Sequence, residues 1–314
     1  MSAAQACLSG EPTSPESLMN WCGLLNVDKP AGITSRQVVD HVQKLVRPAK
    51  VGHAGTLDPL ATGVLVVCVG AATRLITRVQ QGRKRYVGRF LLGKRSNTED
   101  IDGDLVEGGS WSSITLGDLE RTLPEFLGTI QQTPPQISAV KVSGHRAYKL
   151  ARRGVKVELQ PRPVEVFSLR IAMFDPPEFE LEIECGSGTY VRSIGRDIGE
   201  RLGCGAVMNA LTRTAVGRFE LTDAVQLDSL NPSSLREALT TPLAAVAELP
   251  RRRLDPAEIA CVRQGRPISW GVIPDAASQS EFTLIDTAEN MIGIAVADSM
   301  QQQLLPKLIL SALH

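Results

Sequence analysis

Two hydrophobic periodicities alternate along the chain. Phe179, Leu181, Ile183 and Cys185 alternate with Glu180, Glu182 and Glu184, which predicts a strand over 178–185 with one face on a core and the other in water. Val38, Val39, Val42, Leu45 and Val46 fall at helical spacing; Thr34 and Gln37 form a capping box before them, and Pro48 closes the segment. Ile194, Ile198 and Leu202 recur every four residues and predict a second helix, closing at Gly203. Gly63 to Val69 is a continuous apolar run of strand length, expected to be buried on both faces. Trp21 to Val27 and Tyr86 to Leu92 read as further strands, with turns at Lys29–Gly32 and Gly186–Gly188. Strands and helices interleave without regular βαβ spacing, so the expected class is α+β with a mixed sheet.

The pattern also divides the chain. Residues 1–20, rich in Ser, Pro, Glu and Ala, read as a disordered extension. Residues 21–230 carry the large domain. A connecting region, 231–250, runs from Asn231-Pro232-Ser233-Ser234 to the Pro250–Arg253 stretch. Residues 251–314 suffice for a small β-rich domain with a capped helix from Asp255 and strands near Phe282–Asp286 and Met291–Val296. Apolar residues make up 43% and charged residues 22% of the 314, a balance that supports a full core and excludes wholesale disorder. No apolar stretch approaches the ~20 residues of a membrane span, and the polar start lacks the features of a secretion signal; the expectation is a cytoplasmic protein with no membrane contact. The six cysteines are scattered without a Cys-x-x-Cys pair and only four histidines are present, so neither a disulfide framework nor a metal site is expected.

The net charge of zero hides opposing blocks. Arg36 to Arg95 holds twelve Lys or Arg against two acids, Ser96 to Ile130 eight acids against one Arg, and Lys141 to Arg170 eight basic residues against two acidic. Two cationic blocks around an acidic one suit either a positive face for nucleic acid or a mixed, solvated surface. Phosphate-binding glycine loops, dinucleotide fingerprints and the hydrolase nucleophile elbow are missing. What stands out is Val51-Gly52-His53-Ala54-Gly55-Thr56-Leu57-Asp58-Pro59-Leu60-Ala61-Thr62-Gly63, in which Asp58 is the only acid between Asp40 and Glu99. An Asp before Pro commonly opens a turn; in a cationic setting it also suits a nucleophile or the partner of a developing sugar cation. Each of the three tyrosines, Tyr86, Tyr148 and Tyr190, lies within a few residues of arginine, as base stacking requires and as ordinary core-edge tyrosines also do. Arg192, at a helix start after a Gly-Ser-Gly turn, is a candidate to hold Asp58 ionised, or a plain surface arginine. The run Glu99-Asp100-Ile101-Asp102-Gly103-Asp104 lacks the terminal Glu of a calcium loop and reads as a turn.

Four segments in order, Gly23–Pro30 with Gly32–Ser35, Gly52–Gly63, Lys84-Arg85-Tyr86 and Gly188–Ile194, resemble the TruB family of tRNA pseudouridine synthases over about residues 21–228. The resemblance implies the pseudouridine synthase fold, a mixed, largely antiparallel sheet flanked by helices. It implies isomerisation of uridine 55 in the TΨC loop without cofactor or metal. On it, Asp58 matches the catalytic aspartate, Tyr190 the tyrosine that takes the C5 proton and Arg192 the arginine paired with the aspartate. Tyr86 matches the aromatic stacked on the flipped uracil, His53 the histidine on the T loop and Leu211 an apolar residue of the uracil pocket. Lys29, and Arg74 where some members carry lysine, are expected substrate contacts. Leu284–Ala297 and Leu305-Pro306-Lys307 are similar to the PUA-like C-terminal RNA-binding domain of bacterial members. The implied partner is the T-arm stem-loop of tRNA, bound by a monomer without guide RNA or accessory protein. A non-catalytic tRNA-binding or tRNA-folding protein is the alternative, against which Asp58, Tyr190 and Arg192 argue; a glycosidase-like hydrolase lacks a second acid.

Overall fold

A computed structural model describes residues 21–136, 141–142, 145–146, 159–271 and 280–310. The N-terminal extension and Tyr148 lie outside the described residues. In chain order, the elements that carry the large domain are β1 (Gly23–Lys29), α1 (Ser35–Leu45), β2 (Thr62–Val69), α2 (Ile76–Gln81), β3 (Lys84–Leu92), β4 (Gly128–Gln132), β5 (Arg162–Asp175), β6 (Glu178–Cys185), α3 (Val191–Arg201), β7 (Ala206–Val216), β8 (Val225–Gln226) and α4 (Pro232–Ala238). The strands form a ten-stranded sheet in the order β8-β1-β2-β7-β3-β6-β5-β4, with Val51–His53 paired to β2 and Phe219–Glu220 to β7. The β1–β8 and β2–β7 pairs are parallel, and the remaining pairs antiparallel, as a mixed, largely antiparallel sheet requires.

Burial follows the periodicities. β2 is covered on both sides: Leu65, Val67 and Val69 pack against Val38 and Val42 of α1, while Val64, Val66 and Cys68 face Ala72, Leu75 and Val79. Phe179, Leu181 and Ile183 of β6 join Phe90 and Leu92 of β3 beneath Ile194 and Ile198 of α3, with the Phe90 and Phe179 rings stacked at 5.1 Å. The outward glutamates of β6 are taken up by cations, Glu180 by Arg89 at 3.2 Å and Glu184 by Arg83 at 3.3 Å.

Residues 231–250 are packed rather than strung out. Asn231 caps α4, Leu235 is fully buried against the β1 side of the sheet, and Ala245 and Val246 enter the core on the other side of β2. The C-terminal part is a five-stranded sheet in the order β9 (Arg251–Arg253), β11 (Glu281–Ile285), β12 (Met291–Asp298), β13 (Gln303–Ile309), β10 (Ile268–Ser269), with α5 (Pro256–Arg263) against it. Only β11 and β12 are predicted by the sequence pattern. β9 is three arginines with no apolar phase, and Pro306 interrupts β13, where a register shift between Ile294 and Ala295 of β12 accommodates it. Met291, Ile294 and Leu310 pack into the same core cluster as Val64 and Val66, so the two sheets share apolar interior.

Two glycines bring α3 close to the sheet. A Cβ at Gly195 would lie 2.1 Å from the Phe90 ring, and one at Gly199 would lie 2.2 Å from the Ala206 amide nitrogen. Phe90 is fully buried and stacked, so it has nowhere to move. Gly195→Ala is therefore expected to cost about 1–3 kcal/mol, as overpacking does; a urea midpoint equal to the parent's would contradict this packing.

Candidate active site

The Asp58 loop is held from beneath by side chains of two neighbouring elements. Ser35, the first residue of α1, donates its hydroxyl to the Leu57 carbonyl at 3.0 Å and accepts from the Leu57 amide at 2.8 Å. The fully buried Lys29 ammonium donates to the carbonyls of Pro30, Ile33 and Pro59 at 2.8, 2.7 and 3.3 Å. Burial pushes this ammonium down to about 8, against the pull of Asp58, so at neutral pH it stays charged and its three acceptors remain satisfied. Lys29 thus braces the loop from within the protein.

Above the loop lies a cavity of about 660 Å³ whose walls include Asp58, His53, Tyr86, Tyr190, Arg192 and Leu211. Sequence-distant residues meet here: Arg192 Nε is 3.4 Å from Asp58 Oδ2. The arginine side chain is 7% exposed, while Asp58 keeps 35% of its own surface open, so the carboxylate is the member of the pair presented to a ligand. Arg192 also donates through Nη1 to the Thr98 carbonyl at 3.1 Å and lies 3.4 Å from Asp100 Oδ2. It sits in the first turn of α3, where the helix dipole disfavours a cation, and two carboxylates offset that cost.

The acidic run from Glu99 is a turn, as expected, with Asp102 and Asp104 exposed and its first two acids turned inward. Glu99 and Asp100 are buried; Asp100 accepts from the Thr98 hydroxyl at 2.5 Å, and Glu99 accepts from the Ser193 hydroxyl at 2.6 Å and pairs with Arg196. The physical reason lies in α3, which turns two cations one helical turn apart toward this segment. Burial pushes the Glu99 carboxyl above its usual range, with Arg196 opposing.

Tyr86 on β3 is the cross-strand partner of Arg213 on β7. Burial raises its phenol, and Arg213 hydrogen-bonds to it, so the ring stays a neutral phenol facing the cavity. Arg213 is almost wholly buried and donates through Nε to the Val64 carbonyl at 2.7 Å and through Nη2 to the Gly55 carbonyl at 3.0 Å. It therefore ties Tyr86, β2 and the Asp58 loop together. Sequence reasoning passed over it, although its i, i+2 relation to Leu211 places both on one face of a strand. Lys84, also on the wall, is pushed down to about 8 by burial and donates to the Gln80 carbonyl. His53 is shifted below its ordinary value, first by burial and then by Arg213, which leaves a neutral imidazole to stack or hydrogen-bond. Arg74 stands elsewhere: its guanidinium donates to the Ile309 carbonyl where the two sheets meet, and it does not line the cavity.

Arg36, Lys84, Arg162, Arg192 and Arg213 line the cavity, and among its described lining residues Asp58 is the one acid. No group of three or more His, Cys, Asp or Glu among the described residues is arranged to hold a metal ion. The arrangement suits a polyanion that brings an uncharged ring to a single carboxylate.

Residues 43–191 match the family model of the TruB family pseudouridylate synthase N-terminal domain, and residues 192–261 that of the tRNA pseudouridylate synthase B C-terminal domain. The chain belongs to the TruB family. Among TruB relatives, the tRNA pseudouridine synthase B of Dehalococcoides mccartyi is 40% identical over 278 residues, covering 87% of this chain and 91% of the relative. That of Synechococcus elongatus is 40% identical over 303 residues, covering 93% and 99%. A chain of a Cbf5–Nop10–Gar1 complex superposes with TM-score 0.69 at 24% identity, covering 92% of this chain and 85% of that one. A chain of an H/ACA ribonucleoprotein bound to a substrate RNA containing 2′-deoxyuridine gives 0.68 at 22%, with the same coverage. These solved structures share the fold.

Burial, reinforced by Asp100 and Asp102, lifts the Asp58 carboxyl above its usual range, with Arg192 and Lys29 opposing. A raised native value means that the folded state binds the proton more tightly, so this group's contribution to stability declines as pH climbs from the ordinary value of 3.8 through the raised one. The Asp58→Asn protein is expected to gain on the parent as pH rises above 3.8, read as diverging urea midpoints; parallel curves would contradict the raised carboxyl.

Proposed function

We propose that the chain converts uridine 55 in the T-arm loop of tRNA to pseudouridine. The observation that carries this reading is the Asp58–Arg192 pair at the wall of a cationic cavity that also holds Tyr86 and Leu211, in a TruB-family chain. A uracil inside folded RNA hides C1′ and C5, so the nucleotide must be everted at a cost of a few kcal/mol. Stacking on Tyr86, worth roughly 1–3 kcal/mol per base, and phosphate contacts to the cavity's cations offset it.

In this reading Asp58 supplies the negative charge that assists cleavage of the N1–C1′ bond. Its carboxylate faces the cavity, and Arg192 holds it in place. The uracil turns against Leu211, C5 bonds to C1′, and N1 acquires a proton from solvent. The C5 proton passes to the Tyr190 oxygen, whose own proton leaves to water, and the C5–H electron pair restores the C5–C6 double bond. Residues 251–314 serve as a PUA-like RNA-binding domain. The enzyme works as a monomer in the cytoplasm, without guide RNA, accessory protein, cofactor or metal. In support of the cytoplasmic setting, no helix among the described residues is long and apolar enough to cross a membrane.

The test is tritium release from an unmodified T-arm stem-loop labelled at C5 of the target uridine. Asp58→Asn is expected to abolish release while holding RNA affinity within about tenfold, since phosphate contacts carry most of the binding; continued release would remove Asp58 from the chemistry. Affinity is expected to fall roughly a hundredfold between 50 and 200 mM salt, for about four phosphate contacts. A flat salt response would contradict the cationic cavity as the RNA site.

A further inference from the structure

Two side chains to which the chemistry above gives no step of its own meet Tyr190, Gln132 at its backbone and Arg162 at its ring. Gln132 ends β4, Arg162 begins β5, and the two are cross-strand partners at the edge of the sheet. Gln132 is buried, and its carboxamide closes on a single residue: Nε2 donates to the Tyr190 carbonyl at 3.0 Å and Oε1 accepts from the Tyr190 amide at 2.8 Å. Two bonds to one residue's own backbone fix the rotation of the chain where it enters α3. Tyr190 is the N-cap of that helix, yet its side chain makes no capping bond and lines the cavity.

Arg162 reaches the same segment. Its guanidinium lies 5.2 Å from the centroid of the Tyr190 ring, and Nη2 donates to the Gly188 carbonyl at 2.5 Å. Nε is buried without a hydrogen-bond partner among the described residues. A buried Nε left unpaired costs free energy, which the cation–ring contact and the bond to Gly188 must offset. The Nη2 bond to Gly188 holds the guanidinium beside the ring, while its remaining Nη donors stay on the cavity wall.

We propose that Gln132 and Arg162 are positioning residues for Tyr190: the carboxamide sets its backbone and the guanidinium sets the plane of its ring, so that the hydroxyl meets C5 of the rotated uracil. The inference rests on Tyr190 as acceptor of the C5 proton. Lysine at 162 keeps the charge but not the planar fork, so it cannot both bond Gly188 and cover the ring.

The experiment is single-turnover conversion of T-arm stem-loops carrying protium or deuterium at C5 of the target uridine, with affinity measured separately. Arg162→Lys and Gln132→Leu are expected to slow conversion roughly ten- to a hundredfold, the scale of a small misplacement, with RNA affinity within about twofold. They are also expected to raise the C5 isotope effect, because deprotonation becomes the slow step. A smaller active fraction would lower amplitude without changing that ratio, so slow variants with the parent's isotope effect overturn the proposal. Parent-like rates overturn it as well. So does a loss confined to affinity with the salt slope reduced by about one, the mark of a phosphate contact. In a Tyr190→Phe background, Arg162→Lys should cost nothing further. Tyr190→Phe with the parent's rate and isotope effect would instead overturn the role of Tyr190 itself, whereas a slow Tyr190→Phe beside a normal Arg162→Lys would overturn the positioning alone.

Discussion

Arg192 stands between two carboxylates, Asp58 facing the cavity and Asp100 behind it, at the end of a helix whose dipole disfavours a cation. Neither acid would be tolerated so deep without it, because a desolvated carboxylate needs a cation or several donors. The guanidinium therefore fixes three things together: the height of α3 on the sheet, the path of the segment around Glu99, and the presence of charge on Asp58. Of its two pairs the one with Asp100 is buried on both sides, and deleting one partner of such a pair typically costs about 3–5 kcal/mol.

The surrounding architecture serves that pair. Lys29 and Ser35 hold the Asp58 loop through backbone carbonyls and an amide, leaving the carboxylate uncommitted. Gly195 and Gly199 let α3 settle against Phe90 and Ala206, which brings Arg192 within reach of a loop more than a hundred residues earlier. Arg213 performs the matching task on the opposite wall, joining Tyr86 to the Gly55 carbonyl. Rigid strands and a helix end carry the reacting groups.

Much of this is legible in the chain. The alternation over Glu178–Cys185 gives a strand with those bounds, and the stripe from Val38 gives a helix capped by Thr34. Asp58 stands out because acids are rare around it. Buried polar side chains are harder to read. Glu99 and Asp100 look solvated among other acids, and only the tertiary approach of Arg192 and Arg196 turns them inward. Arg213 hides in an apolar strand as one charge with no sequence-local partner. That Lys29 bonds three local carbonyls and Arg74 reaches the Ile309 carbonyl of the neighbouring sheet is set by tertiary approach and has no mark in the sequence. The first and last strands of the C-terminal sheet, β9 and β13, escape notice because arginines erase the period of one and a proline that of the other.

The apolar interior shared by the two sheets has a consequence for how the chain can be cut. Met291, Ile294 and Leu310 are partners of Val64 and Val66, the strand that follows the Asp58 loop, and Glu281 bonds Arg78 next door. Trimming the tail would not release a minimal enzyme from a dispensable appendage; it would uncover grease on the back of the strand that carries the reactive loop. The two parts behave less like beads on a string than like a keystone and its arch.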